Sequence, residues 1–457
     1  MEAELDRRRF LMAWAAAFAH GCAPGPLAPQ RAAPLGSELA GERRRTRTVI
    51  VIGGGLAGLA AAHDLVARGY DATVLEAQAR VGGRILTVRA PFRDGQFVEA
   101  GATHVVADPA LLALFRSVGV SIEQRARTRG LQQVRHFAGT RSVFPADAEP
   151  PPAHALDPQE RALGEQGCLD KYFELARTFD PKLPPPPALA ELDAISGAEF
   201  LRHQGASAGF IAHVDGMIGV GERGVEGMSA LALVQTWASI LHEIGLGSGG
   251  GKVAGGSDRL TDALAARLGQ RVIREARVLS VEQIRRGVRV TFERRGARSQ
   301  LNCARAILAV PPGVLAQLAL APALGAEKSA ALRALRLESV TRVWLQADRR
   351  FWRERGESGS VQTDLPMGGV RDESDGLPGG AGILGLYATR AAAEQLARMS
   401  EAERLQRALA HAETLHPGMA QHVVACASKA WDSDPFARGA YAWFSPGQLT
   451  RFGTELT

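Results

Sequence analysis

The clearest pattern of apolar and polar positions lies near the start of the chain. A continuous apolar run, Val49 to Ile52, is typical of a strand buried on both faces of a sheet. A glycine-rich turn and a helix-compatible run, Leu56 to Arg68, follow, and Gly69 provides a helix C-cap. A second apolar run, Ala72 to Leu75, ends at Glu76. The pattern predicts a strand–turn–helix–strand unit with an acidic residue at the end of its second strand.

The turn of this unit has the glycine spacing of a dinucleotide-binding loop. Gly53, Gly55 and Gly58 form G-x-G-x-x-G, which permits a tight turn, close approach of a pyrophosphate and close packing of helix on strand. The helix N-terminus offers free N–H groups to phosphates. Glu76 lies 23 residues after Gly53 (76 − 53), near the spacing of about 20 expected for an acid that binds ribose. A glycine-rich turn of another α/β protein is the alternative, but it leaves Glu76 unexplained.

The residues after Glu76 indicate which dinucleotide is bound. They continue as Ala77-Gln78-Ala79 and then Arg80-Val81-Gly82-Gly83-Arg84. This L-E-A-x-x-R-x-G-G-R stretch resembles the flavin-containing amine oxidase family, which includes monoamine, polyamine and L-amino acid oxidases. Two glycines and two arginines also make a cationic loop suited to phosphate. The resemblance implies an FAD site formed by Gly53, Gly55, Leu56, Ala57, Gly58, Glu76, Ala77, Arg80, Gly82, Gly83 and Arg84.

Residues 97–104, F-V-E-A-G-A-T-H, resemble the family segment that lies along the flavin. The resemblance places Gly101, Ala102 and Thr103 beside the cofactor. Many amino acid oxidases have an arginine near this point that holds the substrate carboxylate, whereas this chain has His104. An ordinary hydrogen-bonded histidine is the alternative there, and the lack of the arginine weakens a simple amino acid oxidase interpretation. Val278 matches the strand whose backbone meets the adenine in the family.

The rest of the pattern predicts a two-domain α/β protein. A doubly wound, Rossmann-like FAD-binding domain is expected from residues 47–105, 250–320 and 426–457, and a substrate domain of helices and mixed sheet from residues 106–249 and 321–425. The first substrate segment is expected to be mainly helical, with two Pro-rich loops. Strands are predicted over Val272 to Val281, Val288 to Phe292, Ala304 to Val310 and Val340 to Leu345, and helices over Ala110 to Val118, Ser229 to Ile244, Leu260 to Leu268, Lys328 to Leu335 and Ala391 to Leu409.

Three late residues are candidates for the catalytic site. W-D-S-D-P from Trp431 and G-A-Y ending at Tyr441 resemble the family segment that reaches the reactive face of the flavin, although either aromatic residue could simply pack in the core. Ala440 stands where monoamine oxidases have the cysteine that bonds the flavin, so the FAD is expected to be non-covalent. Arg342 stands where the family commonly has a lysine that holds a water near the flavin. It could hold that water, contact the substrate or form a salt bridge.

The first 46 residues predict export. D-R-R-R-F-L at residues 6–11 resembles the twin-arginine (Tat) signal for folded proteins, and Leu11 to Ala19 is an apolar run ending in an A-x-A-like cleavage site. That run is too short to span a bilayer, so no transmembrane segment is predicted. Residues 24–46, rich in Pro, Ala and Arg, are expected to form a linker. We expect a periplasmic or exported protein; a lipid anchor at Cys22, or a disordered basic tail on a cytoplasmic protein, is the alternative.

The chain stops at Thr457, where the family continues with a strand, a glycine-rich turn and a helix. We expect that strand to belong beside the first strand of the parallel sheet. Its absence predicts unpaired backbone groups there, lower stability and a poor oxidase. A truncated gene product and a partial sequence are both open at this point.

Composition argues against several other classes of protein. The 457 residues carry a formal net charge of +6, but the basic residues are scattered without interleaved aromatic residues, which argues against nucleic-acid binding. The four cysteines, Cys22, Cys168, Cys303 and Cys426, are far apart and form no C-x-x-C pair. The histidines and acids show no metal-ligand spacing. Neither a metal site nor a disulfide framework is predicted.

Together with the dinucleotide-binding pattern, the resemblance implies an FAD-dependent oxidoreductase that oxidises the C–N bond of an amine or L-amino acid. Hydride passes to FAD, the imine is hydrolysed, and O₂ is reduced to H₂O₂. A tryptophan-type monooxygenase, a carotenoid desaturase-like enzyme and an inactive flavin-binding protein are the alternatives, and Arg342 and the expected lack of the last strand favour the inactive protein. The expected partners are a small-molecule substrate and O₂. The oligomeric state stays open, with a homodimer as one alternative.

Overall fold

The computed structural model describes residues 47–124, 128–148, 154–178, 180–246 and 250–456. The Tat-like signal, Cys22 and the linker lie outside the described residues, so the export prediction stays a prediction. Within the described ranges, none of the helices combines the length and the apolar character needed to cross a bilayer.

The helices follow the chain in this order: α1 (Leu56–Ala67), α2 (Pro109–Val118), α3 (Pro158–Tyr172), α4 (Gly197–His203), α5 (Ala208–Ile218), α6 (Ala230–Gly245), α7 (Asp258–Leu268), α8 (Pro312–Leu315), α9 (Ala326–Ala334), α10 (Phe351–Glu354), α11 (Arg390–Arg398), α12 (Glu401–Leu415), α13 (Met419–His422) and α14 (Gln448–Leu456). Short 3₁₀ helices span Glu174–Arg177, Pro187–Ala194, Gly224–Glu226 and Gly269–Arg271.

The strands are β1 (Thr48–Ile52), β2 (Asp71–Leu75), β3 (Thr87–Val88), β4 (Val98–Glu99), β5 (Ile122–Glu123), β6 (Gln132–Phe137), β7 (Thr140–Phe144), β8 (Lys252–Val253), β9 (Val272–Ile273), β10 (Ala276–Ile284), β11 (Gly287–Arg294), β12 (Ala297–Cys303), β13 (Arg305–Leu308), β14 (Ala319–Ala321), β15 (Arg336–Leu337), β16 (Val340–Ala347), β17 (Glu357–Thr363), β18 (Val370–Asp372), β19 (Gly382–Thr389), β20 (Val423–Ala430) and β21 (Ala442–Trp443).

The predicted strand–turn–helix–strand unit is the centre of a parallel sheet with the order β13-β1-β2-β9. Val49 and Val51 of β1 pack with Leu59 and other residues of the helices α1 and α7. Ile50 and Ile52 face the other way, into a cluster shared with the antiparallel sheet β12-β11-β10-β14. Helices therefore cover one face of the Rossmann-like sheet and an antiparallel sheet covers the other, which explains why the β1 sequence is apolar at every position.

The expected gap beside the first strand is not there, so that prediction is wrong. Strand β1 pairs in parallel with β2 on one side and with β13 on the other, where Val51 stands opposite Ile307. The place that we assigned to a later strand is taken by Arg305–Leu308, which returns to the sheet directly after the antiparallel strands. The ladder of β1 is therefore complete, and the expected loss of stability at that strand does not follow.

The substrate half of the chain is built on a seven-stranded mixed sheet with the order β20-β16-β19-β18-β17-β6-β7. Its strand β16 is buried along its whole length and pairs with β19 and β20. The first substrate segment is mainly helical as expected, but it also supplies the hairpin β6–β7, which the sequence analysis missed. Both substrate segments therefore share one sheet, although the exact domain boundaries stay predictions.

Two predicted elements are each divided in the structure. The strand expected over Val272 to Val281 is interrupted between β9 and β10, where Glu275 adopts a positive φ of 58°. The helix expected over Ala391 to Leu409 is two helices, α11 and α12. Ser400 begins the second by forming a capping box with Glu403. The side chain of each residue satisfies a backbone N–H of the other, which stabilises a new helix start rather than a continuous helix.

His416 is a titratable group inside the core of the substrate half. Its side chain is fully buried beside Trp352 and Phe351. The ring Nε2 lies 2.9 Å from the carbonyl oxygen of Gly359, and Nδ1 has no hydrogen-bond partner among the described residues. Burial lowers the pKa of His416 to about 4. The native protein therefore contains a neutral imidazole that can be charged more easily after unfolding.

This burial predicts an acid-sensitive core. The unfolded histidine has a pKa of about 6.5, so unfolded chains bind the proton first as the pH falls, and His416 lowers the free energy of unfolding progressively from pH 6.5 to its folded pKa of about 4. The loss should reach on the order of 3 kcal/mol at pH 4. Urea unfolding at pH 7 and pH 4.5, at one FAD concentration, measures it.

The matched control is His416→Gln, which can still donate to the Gly359 carbonyl but does not titrate. We expect its free energy of unfolding to fall less between the two pH values than that of the wild type. Equal losses in the two proteins would show that other groups cause the acid sensitivity.

Candidate active site

The three glycines of the first loop have different surroundings. A Cβ at Gly53 would overlap the carbonyl oxygen of Ala309, and one at Gly58 would overlap the carbonyl oxygen of Gly53. A Cβ at Gly55 would meet no atom within 4 Å. The fold itself thus requires two of the glycines, whereas Gly55 borders open space at the N-terminus of α1. Leu56 and Ala57 form the first turn of that helix, so the loop fits a pyrophosphate that approaches its backbone N–H groups.

Glu76 is buried at the end of β2 and is held by the backbone around it. Its carboxylate accepts hydrogen bonds from the N–H groups of Gly54, at 2.6 Å, and Gln78, at 2.8 Å. Burial raises the pKa of Glu76 although these N–H groups and Arg80 act in the opposite direction. Each carboxylate oxygen has a further lone pair, so Glu76, followed directly by Ala77, can still accept bonds from ribose hydroxyls.

The R-x-G-G-R loop packs against the first glycine loop. The N–H of Gly82 donates to the carbonyl oxygen of Gly54 at 2.8 Å, and Gly82 and Gly83 have positive φ values of 104° and 55°. The guanidinium of Arg80 donates to three carbonyl groups of its own loop, at residues 81, 83 and 85. That arrangement indicates that Arg80 stabilises the loop. Arg84 points elsewhere, because its Nη1 donates to the carbonyl oxygen of Ala440.

The segment predicted to lie along the flavin is fixed against the same loop. A Cβ at Gly101 would overlap the carbonyl oxygen of Arg84, and that oxygen accepts a bond of 3.3 Å from the N–H of Ala102. Thr103 Oγ1 donates to the carbonyl oxygen of Gly101 at 3.2 Å. From the other side, the indole N–H of Trp431 donates to the carbonyl oxygen of residue 100 at 2.9 Å. The segment therefore has a defined backbone path beside Arg84.

Trp431 and Tyr441 differ in their surroundings. Trp431 is only 3% exposed and packs in the core with Trp344, which favours a role in positioning the 100–103 backbone over direct contact with a substrate. Tyr441 is half-buried, and its side chain is hydrogen-bonded to that of Tyr387. Burial raises the pKa of both tyrosines, so both phenols stay protonated at neutral pH.

Arg342 is a buried cation with defined partners. Its Nη2 lies 2.6 Å from Glu373 Oε1, and its Nη1 donates to the backbone carbonyl of Glu99. The guanidinium carbon lies 5.2 and 5.4 Å from the ring centroids of Trp344 and Tyr387. The Nε atom is buried and has no partner in the described part of the chain. A buried donor of this kind is suited to an acceptor such as a water or a ligand atom.

Most of the predicted site residues meet through these contacts, and the structure adds Tyr387 and Glu373, which the sequence analysis missed. No motif marks either residue. Tyr387 stands opposite Arg342 on the neighbouring strand β19, and Glu373 directly follows β18. Val278 lies on β10, which begins beside Glu76, because the Ala276 N–H donates to the Glu76 carbonyl oxygen at 2.8 Å. Among the described residues, no three His, Cys, Asp or Glu side chains are placed to share a metal ion.

Known proteins resemble this chain over most of its length. Residues 56–455 match the model of the family "Flavin containing amine oxidoreductase". A zebrafish (Danio rerio) protein named flavin-containing amine oxidase is 26% identical over 431 residues, covering 89% of this chain and 78% of its own. An L-amino-acid oxidase of Siganus canaliculatus is 24% identical over 425 residues, with the same two coverages.

Solved structures show the same fold. Putrescine oxidase in complex with putrescine is 27% identical, with a TM-score of 0.76 over 89% of this chain and 90% of that protein. Cyclohexylamine oxidase from Brevibacterium oxydans has a TM-score of 0.73 at 21% identity, over 90% of each chain. The family match agrees with the glycine loop and with the R-x-G-G-R extension that follows it. It shows that the protein is an FAD-dependent oxidoreductase that acts on amines. The chain belongs to the flavin-containing amine oxidoreductase family.

Proposed function

We propose that this protein oxidises the C–N bond of a primary or secondary amine or an L-amino acid to the imine and passes the electrons to O₂, forming H₂O₂. The observation that carries the proposal is the contact between Arg84 and the Ala440 carbonyl. It joins the loop that fits the cofactor phosphates to the segment that bears Tyr441. The cofactor loop and the aromatic residues therefore belong to one site, which C–N oxidation at a flavin requires.

The protein groups have separate tasks in this proposal. FAD supplies the acceptor for the two electrons and the hydrogen removed from the substrate carbon. Gly55, Glu76 and Arg84 hold the cofactor. Tyr387 and Tyr441 present a half-buried aromatic surface that excludes water and orients the neutral amine. Because their phenols stay protonated, neither tyrosine is suited to act as the base.

Arg342 takes the place of the lysine on the flavin side. The ion pair with Glu373 and the bond to Glu99 fix its guanidinium, and its unpaired Nε can donate to a water beside the cofactor. The three roles considered from the sequence are therefore compatible with one another. The salt bridge is present in the structure, and it orients the Nε donor of Arg342.

The reaction is tested with the purified full-length chain and FAD. We expect bleaching of the flavin when an amine or L-amino acid is added without oxygen, and substrate-dependent H₂O₂ when air is admitted. An amide product with loss of CO₂ would indicate the tryptophan-type monooxygenase instead. A bound flavin that no amine or amino acid reduces would support the inactive flavin-binding alternative.

The different surroundings of the glycines give a matched pair of variants. Gly55→Ala places a methyl group in open space, so we expect an apoprotein of normal thermal stability that binds FAD more weakly. Gly58→Ala forces the methyl group onto the Gly53 carbonyl oxygen, so the apoprotein itself should be destabilised, by roughly 1–3 kcal/mol. Thermal unfolding without FAD and fluorescence titration with FAD separate the effects. Full FAD affinity in Gly55→Ala would contradict this placement of the pyrophosphate.

The cofactor should be released intact by denaturation. Ala440 has no thiol that could bond the flavin, so acid precipitation of the holoprotein should leave the yellow colour in the supernatant. The informative control is Ala440→Cys, which introduces a thiol at the position used in monoamine oxidases. Yellow colour retained in the wild-type pellet would mean that another residue forms a covalent bond.

A further inference from the structure

Glu338 is a buried acid next to the Tyr387–Tyr441 pair, at the link between β15 and β16. Only 1% of the residue is exposed. Its N–H donates to the carbonyl oxygen of Tyr441 at 2.7 Å, and its own carbonyl oxygen accepts from the N–H of Ala440 at 2.9 Å. Its charge also acts electrostatically on both phenols of the pair. Glu338 therefore borders the aromatic site but is too deeply buried to contact a substrate.

The carboxylate of Glu338 connects two further chain segments to this point. One oxygen accepts from the N–H of Arg390 at 2.9 Å, where β19, the strand of Tyr387, gives way to α11. The other oxygen accepts from the N–H of Gly221, in the loop after α5. Burial raises the pKa of Glu338, and these two N–H groups act in the opposite direction. A carboxylate has an acceptor for each N–H, whereas the amide of a glutamine would turn its NH₂ group toward one of them.

The loop at Gly221 is packed directly on the strand that follows Tyr441. Gly221 has a positive φ of 73°, and a Cβ there would come within 2.4 Å of the ring of Trp443. Trp443 belongs to β21, which forms a two-stranded sheet with β15 through two residue pairs. Such a short ladder is marginal by itself. The position of the Tyr441 segment therefore depends on the contacts made by this loop.

Arg390 fixes the other end of the same loop. Its guanidinium donates to both carboxylate oxygens of Asp215, at 2.7 and 3.0 Å. One of these oxygens also accepts from the N–H of Val225 at 2.8 Å, and a Cβ at Gly224 would overlap it. Arg390 has a positive φ of 55°, which is uncommon for a residue other than glycine. Contacts at its N–H and at its guanidinium together hold it in this conformation.

We propose that Glu338 is a positioning residue of the active site. Its carboxylate holds the loop at Gly221 and the end of β19 against the β15–β21 pair, and thereby sets the relative orientation of Tyr387 and Tyr441. The inference rests on the proposed function, because that function assigns the two tyrosines to the substrate. A small displacement of groups that orient a substrate can lower the rate of a reaction by up to about 100-fold.

The rate of flavin reduction in the full-length holoprotein tests this role. Without oxygen, 2-phenylethylamine and L-phenylalanine serve as an amine and an amino acid in stopped-flow measurements. In Glu338→Gln one N–H group loses its acceptor, so we expect the limiting rate of reduction to fall about tenfold or more. The apparent Kd of the substrate should change less than this rate.

The matched control is Glu357→Gln, which also replaces a buried carboxylate by an amide. Glu357 has a side chain that is 5% exposed, pairs with Arg141 at 2.6 Å, and lies on β17, two strands beyond β19 in the same sheet. We expect this variant to be reduced like the wild type even if its thermal stability falls. Equal slowing in the two variants would show a general effect of losing a buried acid and would overturn the proposal.

A double-mutant cycle shows whether Glu338 acts through the aromatic pair. Effects of residues that act through one another are not additive. In a Tyr441→Ala background, Glu338→Gln should therefore slow flavin reduction by about threefold or less, because the ring that it positions is absent. The same tenfold loss in both backgrounds would overturn the role.

A structural measurement that needs no reaction separates this role from the proposed function. The chain has four tyrosines, so protein labelled with ¹³C in its tyrosine rings gives four sets of NMR signals, assigned with Tyr→Phe variants. Glu338→Gln should shift the signals of Tyr387 and Tyr441 and leave those of Tyr70 and Tyr172, which pack with other partners. If neither substrate reduces the flavin but this pair shifts, the proposed function fails and the positioning role stands. If the flavin is reduced at the wild-type rate and no signal shifts, the positioning role fails and the reaction stands.

Glu338→Asp takes over the same measurements if the Gln variant does not fold. It keeps the charge but withdraws the carboxylate by one methylene group, so the two N–H groups cannot both be reached without movement of the loop or of β19. We expect slower flavin reduction and shifts at the same two tyrosines. Wild-type rates together with unshifted tyrosine signals in this variant would overturn the proposal.

Discussion

Close packing at the backbone of Arg84 is the constraint on which the site depends. The carbonyl group of this residue touches Gly101 so closely that no side chain fits there, and its guanidinium reaches the Ala440 carbonyl more than 350 residues later in the chain. Cofactor loop, flavin-side segment and aromatic segment therefore share one fixed point. Gly82 and Gly83 of the R-x-G-G-R loop adopt backbone conformations that favour glycine, which gives the loop a defined path beside Arg84.

Buried charge organises the other side of the site. A buried ion pair such as Arg342–Glu373 contributes little net stability, because removing both charges from water costs about as much as their attraction returns. The ion pair instead helps to fix the position of the guanidinium. This group is held by Glu373 and by the Glu99 backbone, and it is covered by Trp344 and Tyr387. The guanidinium thus keeps one orientation. A lysine, with its flexible chain and single ammonium group, could not make all of these contacts at once.

Local sequence signals predicted the elements that have a clear pattern of apolar residues and glycines. The unit β1–α1–β2 follows from its apolar runs and glycines, and the division at Ser400 could have been predicted from S-x-x-E. The polar edge strand β12 carries no strong alternation, because much of its surface is exposed. In the hairpin β6–β7, polar and charged residues stand among the apolar ones, so the sequence pattern is weak. The error beside β1 has another cause: β13 was recognised as a strand, but its place in the sheet depends on long-range pairing. Tyr387 and Glu373 were missed because they matter only through their contacts with Arg342, and no local sequence pattern shows those contacts.

Overall similarity does not distinguish substrate classes in this family. The amine oxidase and the L-amino-acid oxidase cover the same share of this chain at nearly the same identity. The cofactor half serves both reactions equally, since FAD accepts the same electrons from either substrate. Discrimination must therefore come from the few groups around the substrate that differ in charge. Substrate preference can therefore change within this family while the fold and the flavin chemistry are retained.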